Sequence, residues 1–134
     1  SEGVYQMLDQ MNVWPDADVI FCFGINDVAN IGSYIAEYQY LMECYPNTRF
    51  WCMSVNPVNT AMKPTRKEAQ LRYFNDRLQS RLNKRFQWID TYKYLMKNGY
   101  STYNEFKGNI DDGVHYSTRT YKRIYKYCMN AIRK

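Results

Sequence analysis

Asp18-Val19-Ile20-Phe21-Cys22-Phe23, running straight into Gly24-Ile25-Asn26-Asp27, decides how the rest of the chain is read. Val19 to Phe23 are apolar without alternation, the pattern of a strand covered on both faces. The glycine at its end lets the backbone turn sharply, and polar turn residues follow. Two similar runs lie downstream, Arg49–Val55 and Phe86–Asp90, and helical patterns separate the three. Strands that alternate with helices predict an α/β sandwich around a parallel sheet. Right-handed crossovers then bring the C-terminal ends of the strands to one edge, where ligands of such sheets bind.

The intervening segments support this alternation. Glu2 to Met11 reads as a short helix with Val4, Leu8 and Met11 on one face, broken by Trp14-Pro15-Asp16. Ser33 to Cys44 reads as a helix stopped by Tyr45-Pro46-Asn47, and Gly24 to Ile31 as a loop. Asn56 to Lys63 is a second loop, containing Pro57 and followed by Pro64. Thr65-Arg-Lys-Glu68 has the form of a capping box, a hydroxyl cap with a carboxylate three residues on. The helix it opens runs to about Lys84, with Leu71, Phe74, Leu78 and Leu82 on one side. Tyr92 to Met96 forms a short helix. Asn98 to Asp112 is a long irregular segment rich in Gly, Asn and Tyr, and loops of that length are often functional. Ser117 caps a last helix with Tyr121, Ile124, Tyr125, Cys128 and Ile132 at helical spacing.

With 134 residues, 46% of them hydrophobic, the chain has the size of a single domain, 1–134, with a core of its own. No apolar run is long enough to span a bilayer, so no membrane partner is expected. The chain opens abruptly at Ser1-Glu2-Gly3, without the basic start and apolar stretch of a signal peptide. Residues 1–48 hold seven acids and no Lys or Arg, whereas all 18 basic residues lie from Arg49 onward. The basic residues alternate with apolar positions along helices. That is a solvated helix face rather than a nucleic-acid surface, and the opposite charges help the two halves pack. The four cysteines, Cys22, Cys44, Cys52 and Cys128, show no metal spacing, and the apolar runs around Cys22 and Cys52 predict buried free thiols. With one histidine in the chain, neither a metal site nor a cofactor is expected.

Two segments carry chemistry. In Gly24-Ile-Asn-Asp27 an Asn amide just beyond a strand end can project into the crevice and stabilise a developing oxyanion. An ordinary turn would use the same residues. In Asp111-Asp-Gly-Val-His115 the spacing lets the Asp112 carboxylate accept the imidazole Nδ1–H, which fixes the tautomer and leaves Nε2 as a general base. A surface histidine near a helix start is the plainer reading of that segment taken alone. Together the two resemble the G-x-N-D and D-x-x-H blocks of the SGNH (GDSL-type) hydrolases, in the same order and the same strand-and-loop context. Asp90-Thr-Tyr after a short strand, and Tyr121 in the last helix, also look like that family.

The resemblance implies a three-layer flavodoxin-like sandwich and ester hydrolysis by acyl transfer to serine, then water. It assigns Asn26 as oxyanion donor, Gly24 as the residue shaping its loop, His115 as general base and Asp112 as its orienting partner. Asp111 has the wrong spacing for that partnership. The family's G-D-S segment with the nucleophilic serine is absent, as are its first two strands and the loop glycine that donates a further oxyanion N–H. Ser54 reads as alternating into the core, Ser117 as a helix cap, and none of Ser1, Ser33, Ser80 and Ser101 sits at a strand-to-helix elbow. The absent strands leave Asp18–Phe23 as an open apolar edge, so a second polypeptide, a swapped chain or a longer natural precursor is expected to supply them. Tyr100, Tyr103 and Phe106 suggest a carbohydrate ester as substrate if they stack on sugar, or loop packing if they do not. A non-catalytic binding or assembly module on a degenerate hydrolase fold is the alternative that the missing serine favours. A nucleotide-binding flavodoxin-like domain lacks the Gly-rich phosphate loop it would need.

Overall fold

In a computed structural model, the residues described are 17–22, 31–62, 67–82, 84–105 and 108–133. The predicted helix over Glu2–Met11 and most of the Gly24–Ile31 loop lie outside them. Strand β1 (Asp18–Phe21), helix α1 (Ile31–Cys44), strand β2 (Arg49–Met53), helix α2 (Glu68–Arg81) and strand β3 (Phe86–Ile89) alternate as expected. Helix α3 (Thr91–Asn98), a small hairpin of β4 (Tyr103–Asn104) and β5 (Ile110–Asp111), and helix α4 (Thr118–Arg133) complete the order. The fold is therefore α/β, with a parallel sheet in the order β1-β2-β3.

Alternate residues of the central strand face opposite layers. Phe50 and Cys52 join the cluster made with α1 and α2, through Tyr38, Leu41, Leu71, Phe74 and Leu78. Trp51 faces the other way, with Ile89, Leu95, Ile124 and Cys128. On the first face Phe21 stacks on Tyr38 at 4.3 Å between ring centroids, and Phe86 tilts against Phe50 at 5.3 Å. Such contacts add directional preference to the apolar burial that drives the layers together.

The acidic and basic parts of the sequence meet where β1 and β2 begin. Asp18 and Arg49 are cross-strand partners, and the guanidinium donates to both carboxylate oxygens at 2.6 and 2.7 Å. The hydrogen bonds from Arg49 outweigh burial and hold the Asp18 carboxyl below its usual range, and Trp51 Nε1–H adds a further donor at 3.3 Å. At the far end of α1, Arg85 donates to the carbonyls of Met42, Tyr45 and Thr48 at 2.8–2.9 Å. The Met42 carbonyl is in the last turn of α1 and the other two belong to the turn after it, so the guanidinium clasps the helix end, where a cation also suits the helix dipole.

Several boundaries differ from those read in the sequence. β1 ends at Phe21 rather than Phe23, and β2 at Met53 rather than Val55. The second difference has a visible cause: the Val55 N–H donates to the Asn75 side chain at 2.7 Å instead of to a neighbouring strand. α2 starts at Glu68, not at Arg66 as the capping box required, and Thr65 lies outside the described residues. The Lys67 N–H is taken by the Gln70 side chain at 3.3 Å, so the reciprocal half of a box exists two residues later. The helix also stops at Arg81, short of Lys84.

In α4 the buried stripe is Thr120, Ile124 and Cys128, while Tyr121 and Tyr125 are exposed, so these two tyrosines are not core positions. Ser117 does cap α4, its Oγ accepting the Thr120 N–H at 3.2 Å. The cysteines are free, but Cys22 and Cys44 are exposed and only Cys52 and Cys128 are buried. The Cys22 side chain follows the last residue of β1 and escapes the cover that its apolar neighbours implied.

Candidate active site: an aspartate–histidine dyad at the sheet edge

The loop after β2 anchors the candidate site. Its residue Asn59 donates its N–H to the Gly113 carbonyl at 2.8 Å. The buried Tyr116 hydroxyl donates to the Pro57 carbonyl, and the Tyr100 hydroxyl to that of Val58 at 3.1 Å. The segment from Asp111 to Tyr116 is thus tied to the C-terminal edge of the parallel sheet. β1 delivers the chain to the same edge, because Phe21 pairs with Cys52 in parallel register.

Within that segment the chain turns at Gly113, whose φ of 77° is a left-handed conformation that glycine adopts without penalty. The turn folds the loop back onto Asp112. Oδ1 of Asp112 accepts the N–H groups of Val114 and His115 at 2.9 and 2.8 Å. Oδ2 stands 2.5 Å from His115 Nδ1. Burial alone would raise the Asp112 pKa. The backbone N–H groups of His115 and Val114, and then the imidazole, overcome that and hold the carboxyl well below the usual range. An ionised carboxylate on Nδ1 selects the tautomer with its proton there. Nε2 makes no hydrogen bond among the described residues, and the imidazole side chain is 46% exposed.

Asp111 turns elsewhere. Its Oδ1 accepts the Thr102 hydroxyl at 2.6 Å and the Gly113 N–H at 2.9 Å. Glu105, in the hairpin connection, accepts both the N–H and the hydroxyl of Thr118 at 3.0 and 3.1 Å, and so closes the first turn of α4 just beyond His115.

Of the four residues singled out from sequence, Asp112 and His115 stand together, whereas Gly24 and Asn26 lie outside the described residues. Ser54 is 1% exposed, its Oγ accepting the Tyr92 N–H at 2.8 Å and facing Thr91 Oγ1 at 3.1 Å. That serine is part of the packing between β2 and α3. Tyr100 packs at 81° against Tyr116, and its hydroxyl is held by the Val58 carbonyl, so it takes part in loop packing. Tyr103 is 46% exposed, and Phe106 lies outside the described residues. Sequence reading missed Tyr116 and Asn75, the residues that fasten the loop after β2. Asn75 had a signal: a polar residue on the face of α2 that carries Leu71, Phe74 and Leu78. Among the described residues no group of three or more His, Cys, Asp or Glu side chains could hold a metal ion. No helix among them is long and apolar enough to cross a membrane.

Among solved structures, the fold is similar to that of the lipase/acylhydrolase from Enterococcus faecalis, with a TM-score of 0.64 and 14% identity over 96% of this chain and 69% of that one. At that identity the likeness is one of fold. No protein-family model and no curated protein matches the chain.

Proposed function

We propose that the chain is the histidine-bearing part of a serine ester hydrolase of the SGNH (GDSL) type. The observation that carries this reading is the Asp112 carboxylate 2.5 Å from His115 Nδ1 at the strand C-terminal edge, with the imidazole open to solvent. Such a pair takes the proton of an attacking hydroxyl on Nε2 and returns it to the leaving alcohol. On this reading Asn26, five residues after the end of β1 in sequence, takes the role of oxyanion donor and Gly24 that of shaping its loop, as the resemblance to the SGNH family implies. On the same reading the nucleophilic serine is supplied by a longer precursor, a second polypeptide or a swapped chain. The substrate is a small or carbohydrate ester. Of the three aromatics that suggested sugar, Tyr100 is committed to packing, which leaves Tyr103 as the exposed candidate for stacking.

The test is hydrolysis of p-nitrophenyl acetate, and of an acetylated oligosaccharide, by this chain alone and by the chain joined to its upstream coding sequence. The joined protein should be faster by several orders of magnitude, and His115→Ala should remove the gain. Removing one member of such a triad leaves about 10³–10⁴-fold over water, from binding and the oxyanion hole. Equal rates for the joined protein and its His115→Ala variant would sink the proposal. They would favour a binding or assembly module, the reading supported by the burial of Ser54 and the capping role of Ser117.

A further inference from the structure

We infer that Asp111 is a positioning residue for the dyad, and that it acts as a hydrogen-bond acceptor rather than as a charge. The inference deepens the reading of His115 as general base and rests on it for its kinetic part only. The two successive aspartates perform different tasks. Asp112 faces forward, spending Oδ1 on two backbone N–H groups and Oδ2 on the imidazole. Asp111 faces back, and one oxygen takes both of its donors, the Thr102 hydroxyl and the Gly113 N–H.

The geometry explains why the second task matters to the first. The Gly113 N–H belongs to the peptide that joins Asp112 to Gly113, so Asp111 fixes the plane of the peptide from which the Asp112 side chain departs. Thr102 is buried, 3% exposed, which gives Asp111 a fixed point to hang from. The bonds from Asn59 N–H to the Gly113 carbonyl and from Tyr116 hydroxyl to Pro57 lie on the far side of the turn and hold the segment to the sheet. The Val114 and His115 N–H groups brace the turn from within, on Asp112 Oδ1, and Asp111 is the acceptor that holds the Gly113 N–H itself. Glycine there makes that hold matter, since its φ of 77° is one of several conformations open to it. Because both donors converge on one oxygen, an amide oxygen serves as well as a carboxylate.

The experiment uses the fact that His115 is the one histidine of the chain, so its ring nitrogens are read without assignment. Two-bond proton–nitrogen spectra of the ring are recorded for the wild type, Asp111→Asn, Asp111→Ala, Thr102→Ser and Thr102→Val. The wild type, Asp111→Asn and Thr102→Ser should show the tautomer protonated on Nδ1. Asp111→Ala and Thr102→Val should show a mixture of tautomers and loss of the slowly exchanging Nδ1–H signal. Thermal unfolding and circular dichroism identify any variant that fails to fold. If Asp111→Ala is one, the Thr102 pair carries the same comparison.

These spectra need no substrate, so they judge the positioning role even if the chain proves not to be an esterase. In the active joined protein, Asp111→Ala should lower kcat by about 10–100-fold with KM unchanged, as small misplacements of a catalytic group do. Asp111→Asn should there stay within about twofold of the wild type, because the acceptor is retained. An Asp111→Asn ring spectrum like that of Asp111→Ala would overturn the inference by showing that charge is required. So would an unchanged tautomer in both Asp111→Ala and Thr102→Val.

Discussion

Asn75→Ala should destabilise the protein far more than its position in the middle of a helix suggests. The side chain is 7% exposed and makes two buried hydrogen bonds to one residue: it accepts the Val55 N–H at 2.7 Å and donates to the Val55 carbonyl at 3.0 Å. Val55 is itself 3% exposed, so water does not replace either bond without rearrangement. Each orphaned polar group costs about 1–3 kcal/mol. Alanine returns roughly half a kcal/mol through its better helix propensity. The net loss is then about 1.5–5.5 kcal/mol, on the order of 10 °C in Tm for a chain of this length. Urea unfolding at neutral pH measures it, and an unchanged m-value would show that the two end states are the same.

Asn75→Asp refines the test. Its second oxygen would face the Val55 carbonyl, so at neutral pH it should be at least as damaging as alanine. It should regain stability on acidification, when the carboxyl can donate. A loss below about 1 kcal/mol for Asn75→Ala would refute the reasoning, since it would mean that Val55 finds other partners.

The acid limb of stability should depend on Asp112. Its folded pKa lies below the unfolded value of about 3.9, so its stabilisation is complete above that value and is lost as pH falls through the folded one. The difference in unfolding free energy between the wild type and Asp112→Asn should therefore shrink between about pH 5 and pH 2, as followed by urea titrations at each pH. A difference that stays constant over that range would mean that Asp112 gains nothing from its three donors. Thiol titration gives an independent check on packing. Cys44 should react in the native protein, Cys22 more slowly because its surroundings raise its thiol pKa although its surface is exposed, and Cys52 and Cys128 only after unfolding. Burial pushes the latter two up to about 12 and about 11, and prompt native reaction of Cys52 would contradict the central position of β2.

The parallel architecture is legible in the sequence because its signal is long-range in character and locally redundant. Unbroken apolar runs at Val19–Phe23 and Phe50–Met53 have no other economical reading than doubly covered strands. The Asp112–His115 pair is legible because its hydrogen bond closes within four residues, with a glycine between them. What escaped depends on partners distant in sequence. β2 is cut short by Asn75, 20 residues downstream, and the loop after it is held by Tyr116, 59 residues from Pro57. The β4–β5 hairpin was hidden in a segment read as irregular, although Gly108-Asn109 is a recognisable turn pair. Both residues have positive φ, 72° and 57°. Tyr121 and Tyr125 satisfied helical spacing, but the stripe they share with Ile124 and Cys128 is wider than the surface α4 buries.

Arg85 makes the end of α1 a non-local property. The carbonyls it holds belong to Met42, Tyr45 and Thr48, 43, 40 and 37 positions earlier in the chain. The whole of α2 and the strand before it must be laid down before that guanidinium arrives. During folding, the last turn of α1 therefore has only local backbone bonds, such as those from the Tyr45 N–H to Leu41 and Met42, until Arg85 arrives with β3, however early the rest of the helix forms. The closing of that turn reports that β3 has joined the sheet, and amide exchange confined to residues 42–48 would time the arrival of the third strand without a probe attached to it.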